Sequence, residues 1–383
     1  MLKRKLIFLS TPHMSGREML YIEDAFRKNQ IFPNGANVEA FAEDLKRVTG
    51  VGYVSCLSSG TAAIHLALII LGVEQGDEVI CSSFTFSASA NPIVYQKALP
   101  IFIESELATW NMQPAMLEEA IRDRIKKGKK PKAIIAVDLY GMPARLDEIM
   151  EIANRYEIPV IEDAAEAIGS KFNGQACGTF GEIGILSFNG NKAITTSAGG
   201  AFISNNEEYC NQAYFLSTQA RDDFPHYEHT EIGYNYRMSN ICAAIGRGQM
   251  DVFDERISKR RENFFFYKEA LKDMDCITFL EEPDDRFYSN HWLTTILIDP
   301  KKTDRLAPEK IRKKLEKLNI ETRSLWKPMH LQPVFKDCPA YVDGTSERLF
   351  NIGLCLPSST CITDEERQFV ADSLRKIINN RQF

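Results

Sequence analysis

The chain has 383 residues, 44% of them hydrophobic and 26% charged, with a formal net charge of −6. This length suits one large and one small lobe with sizeable cores, and the acidic balance lacks the basic stripe expected of a nucleic-acid binder. Nine cysteines are scattered without a Cys-x-x-Cys pair, which argues against a zinc site and a disulfide framework and for a reducing compartment. At residues 1–9 a charged start leads into a short apolar run, and Thr11-Pro12-His13 interrupts it too early for a secretory leader. No apolar stretch is long enough to span a bilayer. The expectation is a soluble cytoplasmic protein.

In chain order, 16–30 and 37–49 read as amphipathic helices around a turn-rich loop at 31–35. An alternation then begins. Strands are predicted at 53–57, 78–81, 99–103, 133–139 and 159–161, separated by helices at 62–71, 87–96, 114–125 and 146–156. Two further apolar segments follow at 184–188 and 200–204. The run Lys126-Lys127-Gly128-Lys129-Lys130 reads as a solvated helix end. One long helical pattern, 239–272, reads as a connector to a second lobe with strands at 277–280, 292–298 and 320–322 and helices at 308–318 and 364–378. Strands alternating with helices of about ten residues indicate an α/β fold with a mostly parallel sheet. The reading is a large domain over 1–250 and a smaller α+β domain over 251–383, with the N-terminal segment free to pack on the small one.

In such sheets ligands lie beyond the carboxyl ends of the strands. Four polar turns fall there: 58–61, 83–86, 163–166 and 187–192. Each has an ordinary reading. Ser59-Gly60-Thr61 is either a helix cap or a phosphate cradle. Asp163 is either a cap or the partner of a cationic ring nitrogen. Phe84 and Phe86 are either core or a ring stack. Ser187 offers a hydroxyl five positions before Lys192, and Lys192 is either a solvated loop lysine or a Schiff-base amine. Together they supply each contact that pyridoxal 5′-phosphate needs.

The motifs Ser-Gly-Thr-Ala-Ala at 59–63, Ser-Phe-Thr-Phe at 83–86, Glu-Asp-Ala-Ala-Glu at 162–166, Ser-Phe-Asn-Gly-Asn-Lys at 187–192 and Gly-Tyr-Asn-Tyr-Arg-Met at 233–238 resemble the DegT/DnrJ-type nucleotide-sugar aminotransferases. The resemblance spans nearly the whole chain and implies the aspartate-aminotransferase fold, fold type I of the pyridoxal phosphate-dependent transferases. It implies that Lys192 holds the cofactor as a Schiff base and moves the proton, and that Asp163 pairs with the ring nitrogen. It further implies Phe86 stacked on the ring, Gly60, Thr61 and Ser187 on the phosphate, and Glu166 beside the ring. Asn235 would reach the phosphate in a neighbouring subunit, which implies a homodimer with shared sites. Arg237, Trp326 and His330 would contact the nucleotide sugar. The chain departs from the family pattern at Ala193 and Ala198, neither of which touches the chemistry.

Thr-Pro-His-Met at 11–14, Ser-Thr-Gln-Ala-Arg at 217–221, His-Tyr-Glu-His at 226–229 and Leu-Trp-Lys-Pro-Met-His at 325–330 resemble, within that family, the transaminases that make UDP-4-amino-4,6-dideoxy-N-acetylglucosamine. The implied reaction carries an amino group from L-glutamate to C4 of a UDP-linked 4-keto-6-deoxy-N-acetylhexosamine. The alternatives are amination at C3, a dTDP- or GDP-linked keto sugar, and a nucleotide-sugar binding protein without catalysis. A nicotinamide-dependent oxidoreductase is disfavoured because no G-x-G-x-x-G opens the first helix of the alternation.

Overall fold

Short apolar runs bounded by turns become strands here because both of their faces are covered. All five residues of Glu78–Ser82, Ala133–Val137 and Gly200–Ser204 are buried. The computed structural model describes residues 5–303 and 306–379. In chain order the first elements are α1 (Glu18–Arg27), α2 (Ala36–Thr49), β1 (Tyr53–Leu57), α3 (Gly60–Ile70), β2 (Glu78–Ser82), α4 (Asn91–Tyr95), β3 (Leu99–Ile103), α5 (Pro114–Lys126), β4 (Ala133–Val137) and α6 (Leu146–Arg155). Next come β5 (Val160–Asp163), β6 (Lys171–Phe172), β7 (Gln175–Ala176), β8 (Ile183–Ser187), β9 (Gly200–Ser204), α7 (Glu207–Ser217), α8 (Asn240–Met250) and α9 (Phe253–Ala270). The remainder are β10 (Ile277–Phe279), β11 (Phe287–Tyr288), β12 (Thr294–Ile298), α10 (Pro308–Lys317), β13 (Arg323–Ser324), β14 (Ala340–Tyr341), α11 (Thr345–Ile352), β15 (Gly353–Leu356) and α12 (Asp364–Asn379).

The main sheet has eight strands in the order β1-β9-β8-β5-β4-β2-β3-β14. Within it β9 runs antiparallel to both neighbours, and the other pairings are parallel. Strand alternation sorts the side chains onto two faces. Ile134 and Ala136 of β4 join one core with Phe41, Leu117 and Ile149, while Ala133 and Ile135 join another with Leu66 and Ile93. A four-stranded sheet, β10-β12-β15-β13, carries a third core with Ile296, Ile311, Leu354 and Leu374. Ile7 belongs to that core and forms a parallel bridge with Ile320, so the N-terminal segment packs there.

The predicted helix at 239–272 is two helices. The backbone leaves helical geometry at Val252 (φ −125°), between α8, which packs on α1 and α2, and α9, which packs on α12. No glycine or proline marks the break, so tertiary packing sets it. The predicted strand at 133–139 stops at Val137, because Tyr140 adopts φ 56° in the turn that follows. The predicted strand at 320–322 is displaced to β13, Ile320 being taken by its bridge to Ile7. Three two-residue strands, β6, β7 and β11, form a small sheet that periodicity does not announce.

Because β1, β2, β4, β5 and β8 run the same way, the turns after them open on one edge of the sheet. Gly200 holds two of these turns together: a Cβ there would lie 2.3 Å from Gly60 N and 2.4 Å from the carbonyl carbon of Ser59. We expect Gly200→Ala to cost about 1–3 kcal/mol through this overlap, read as a lowered Tm. An unchanged Tm would show that the contact between β9 and α3 yields without strain.

Candidate active site

At that edge lies a chamber of about 290 Å³. Its floor begins at α3, where Ser59 caps the helix by accepting from Ala62 N. Among the described residues the N–H groups of Gly60 and Thr61 have no acceptor. They are free donors at the N-terminal end of a helix, where an anion is favoured. The Ser187 side chain stands beside them, 3.2 Å from where a Cβ on Gly60 would lie.

Asp163 ends β5 inside the same chamber and is buried. Ser89 Oγ donates to its Oδ2 at 2.6 Å and Ala165 N to its Oδ1 at 3.2 Å. Thr85 and Ser89 hydroxyls lie 2.8 Å apart, extending the chain of hydroxyls behind the carboxylate. Burial pushes Asp163 above the usual carboxylate range, and the Ser89 hydroxyl works against that. A cationic partner would return it to the charged form.

Lys192 Nζ lies 3.4 Å from Glu166 Oε1 and 4.2 Å from the centre of the Trp292 ring. Glu166 is held by its other oxygen, which accepts from Tyr140 N at 2.7 Å. Burial raises Glu166, while the Lys192 ammonium and that N–H pull it down. The backbone beneath the lysine is fastened by other segments. Ser10 Oγ and Trp292 Nε1 donate to Asn191 O at 2.7 and 2.8 Å. Arg260, fully buried, donates to Lys192 O at 3.0 Å and to Trp292 O at 2.5 Å.

An outer chamber of about 730 Å³ adjoins the first and shares Phe86, Trp292 and Trp326 with it. Phe86 is 50% exposed, its ring 5.1 Å from that of Trp326. Tyr140 stacks between Trp292 and Trp326, with interplanar angles of 17° and 7°. The Trp326 Nε1–H is buried without a partner among the described residues.

Gly60, Thr61, Phe86, Asp163, Glu166, Ser187, Lys192 and Trp326, all predicted site residues, therefore converge. Three others do not line either chamber of this chain. Asn235 is exposed and bridges to Thr218. Arg237 lies along β1, with Nη1 3.3 Å from Cys56 O and its guanidinium over the Tyr214 ring. His330 is turned to Ser83, with Nδ1 2.6 Å from that hydroxyl, and burial lowers its pKa. Ser89, Tyr140, Trp292 and Arg260 were not singled out in the sequence. Tyr140 follows a strand at its carboxyl end, a signal that was legible. Arg260 and Trp292 reach the lysine only through tertiary packing.

The arrangement suits one group. Unused N–H donors at one end, a buried carboxylate in no ion pair among the described residues at the other and an amine in the same chamber match a phosphorylated pyridinium aldehyde. The comparisons agree. The family model described as the DegT/DnrJ/EryC1/StrS aminotransferase family matches residues 12–375. The chain belongs to this family. As a member it is a pyridoxal phosphate-dependent sugar aminotransferase of the aspartate-aminotransferase-like fold. It is 50% identical to a "Putative pyridoxal phosphate-dependent aminotransferase EpsN" of Bacillus subtilis (strain 168), over 97% of this chain and 95% of that one. It is 35% identical to a GDP-perosamine synthase of Escherichia coli O157:H7, over 98% of this chain and 100% of that one. Among solved structures, a DegT DnrJ EryC1 StrS aminotransferase from Brucella abortus matches with a TM-score of 0.88 at 28% identity, covering 95% of this chain and 96% of that one. No helix of this aminotransferase, among the described residues, is long and apolar enough to cross a membrane.

Removing the Ser89 hydroxyl from the aminotransferase takes a hydrogen bond from a buried carboxylate, about 1.5–3 kcal/mol. Ser89→Ala is expected to weaken pyridoxal phosphate binding roughly tenfold or more. The check is a cofactor titration followed by absorbance. Unchanged affinity would mean that Asp163 is oriented without it.

Proposed function

We propose that the protein transfers an amino group from L-glutamate to the C4 ketone of a UDP-linked 4-keto-6-deoxy-N-acetylhexosamine. The product is a UDP-4-amino-4,6-dideoxy sugar for a surface glycan or glycoprotein. The observation that carries the reading is the position of the Lys192 amine, 3.4 Å from Glu166 in the chamber that also holds Asp163 and the open end of α3. Pyridoxal phosphate, when bound, supplies the electron sink that lets a C–H bond next to nitrogen break.

The chain's own residues do the rest. Gly60, Thr61 and Ser187 hold the phosphate. Asp163 keeps the ring nitrogen protonated. Phe86 covers one face of the ring, and Glu166 sits beside it. Lys192 Nζ accepts the α-proton of L-glutamate in the first half of the reaction and delivers a proton to C4 of the sugar in the second. Trp326, through its unpaired indole N–H, and Arg237 and His330 are assigned to the nucleotide sugar. The two lobes of the reading, 1–250 and 251–383, meet over this site.

The protein acts as a homodimer in the cytoplasm on this reading. Asn235 and Arg237 do not line their own chain's chamber, which supports a role in a partner's. Exposed apolar side chains support pairing: Leu20 is 65% exposed, Phe26 62% and Ile232 87%. All nine cysteines are unpaired, which fits a reducing compartment.

A second reading takes a GDP-linked keto sugar, and the 35% match to a GDP-perosamine synthase favours it. Side-by-side assays with UDP-, GDP- and dTDP-linked 4-keto-6-deoxy sugars decide between them. The expected result is a kcat/KM for the UDP sugar at least about tenfold above the others, a difference of about 1.4 kcal/mol. A GDP preference would move the second reading forward. Lys192→Ala should lower turnover by at least about 10²-fold, and turnover that survives it would sink the mechanism.

A further inference from the structure

Two acids beneath the site take no part in the chemistry above. Asp138 follows β4 directly, and Glu162 lies in β5 one residue before Asp163. Both are fully buried. With Cys177 they bring one ligand-type atom each to within 4.8 Å of one another. Among the described residues neither acid forms an ion pair, and the charged or titratable groups that act most on Asp138 are Glu162 and Cys177.

Their hydrogen bonds differ. Glu162 accepts three backbone N–H groups, from Gly178 at 2.5 Å, Phe180 at 2.7 Å and Gly181 at 3.3 Å. That is the environment of an ionised carboxylate. Asp138 accepts one, from Ala144 N at 2.9 Å, through Oδ1. Its Oδ2 is buried with no donor among the described residues. Burial of two carboxylates this close disfavours charging both. We infer that Asp138 is a neutral carboxylic acid, that its Oδ2–H donates to Glu162, and that this shared proton makes Asp138 a positioning residue for the active site. The alternative of a bound cation is poorly served, because a carboxylate accepts about four hydrogen bonds and three N–H groups already point at Glu162. Burial raises both acids. The Glu162 charge raises Asp138 further, against the smaller pull of the Ala144 N–H and the Cys177 thiol, whereas the N–H groups hold Glu162 down, and the Cys177 thiol is also raised by burial and stays neutral.

The proton matters because of what Asp138 begins. Its own N–H donates to Asp163 O at 3.1 Å. Next in the chain, Leu139 N donates to Asn111 Oδ1 at 2.8 Å, and Asn111 Nδ2 donates to Met142 O at 2.8 Å. This bracket holds Tyr140 at φ 56°, a left-handed conformation that a bulky residue keeps only when its surroundings enforce it. Held so, Tyr140 donates its N–H to Glu166 and accepts Trp326 N at its hydroxyl, 2.8 Å away. Asp138 thus acts on the Lys192 amine through Tyr140 and Glu166. This functional consequence rests on the proposed roles of Lys192 and Glu166. The protonation state does not.

The test compares the holoenzyme with Asp138→Asn, Asp138→Ala and Glu162→Gln. Asparagine keeps the shape and supplies an N–H in place of the O–H. The wild-type-minus-D138N infrared difference spectrum at pH 7 should show the carbonyl stretch of a neutral carboxylic acid, the other buried acids cancelling. A raised folded-state pKa gives stability that is complete below the unfolded value of about 3.9 and is lost as pH rises through the folded value. The Tm of D138N relative to wild type should therefore climb as pH rises from about 5 towards that folded value. E162Q, which turns an amide N–H donor towards backbone N–H donors, should be strongly destabilised. D138N should keep the glutamate half-reaction within about threefold of wild type. D138A should slow it more than about tenfold with KM for the keto sugar unchanged. Absence of the infrared band, a Tm difference flat with pH, or an E162Q protein as stable as wild type would each overturn the inference. If D138A does not fold, the spectrum and the pH series of D138N still decide. Both need no substrate, so they fail or succeed separately from the proposed reaction.

Discussion

The backbone of Asn191 and Lys192 is held from three other segments at once. Ser10 reaches it from the N-terminal segment, Trp292 from the residues before β12, and Arg260 from α9. Arg260 also donates to Ser358 O, beyond β15, at 3.3 Å. A guanidinium buried without a carboxylate has to spend its donors on carbonyls and hydroxyls, and here those acceptors are the backbone of the lysine loop and of its neighbours. The loop itself is rich in small polar residues and has no regular structure to stiffen it. Its rigidity is borrowed from parts of the chain up to 181 positions away. A reactive lysine must be placed to within a fraction of an ångström, and this fastening is how a flexible sequence meets that demand.

Around the lysine, acidity is arranged by burial and then trimmed by hydrogen bonds. Asp163, Glu166, Asp138 and Glu162 are all raised by desolvation, yet each has a different counterweight: a hydroxyl, an ammonium, one N–H, three N–H groups. Four acids thus lie in and just beyond the ends of two adjacent strands, β4 and β5, each in a different hydrogen-bonding environment. The aromatic stack of Trp292, Tyr140 and Trp326 forms a wall beside them.

The sheet and most of the site were legible because they obey local rules. Apolar runs at 53–57 and 133–137 have strand length, and the residues placed at their carboxyl ends are the ones a parallel sheet gathers. Gly60, Asp163, Ser187 and Lys192 are visible for that reason. What stayed hidden depends on partners far away in sequence. Val252 breaks a helix with no breaker residue, because the helices on either side of it have different packing partners, α1 and α2 for α8 and α12 for α9. Arg260 looked like one more charge on an amphipathic face, and nothing nearby says that it is buried. Asp138 read as the tail of a strand, since its neighbour Glu162 is 24 positions on and its own state depends on that contact. Asn235 and Arg237, legible as motif, lie outside this chain's chamber, where a sequence pattern carries no direction.

The main sheet also has two ends, and both are covered by backbone that comes from elsewhere. Beyond β3, Ala340 and Tyr341 pair in parallel with Phe102 and Ile103. Beyond β1, Tyr236 O accepts from Ser58 N at 2.7 Å, and Arg237 bridges Leu57. Each cover is short, but each takes up the N–H and C=O groups at the carboxyl end of its strand, which would otherwise invite a foreign strand. A chain shortened before residue 340 would bare Leu99–Ile103, five apolar residues in a row. At these two places the main sheet's backbone is already paired, and a second chain would meet side chains there in place of open N–H and C=O groups.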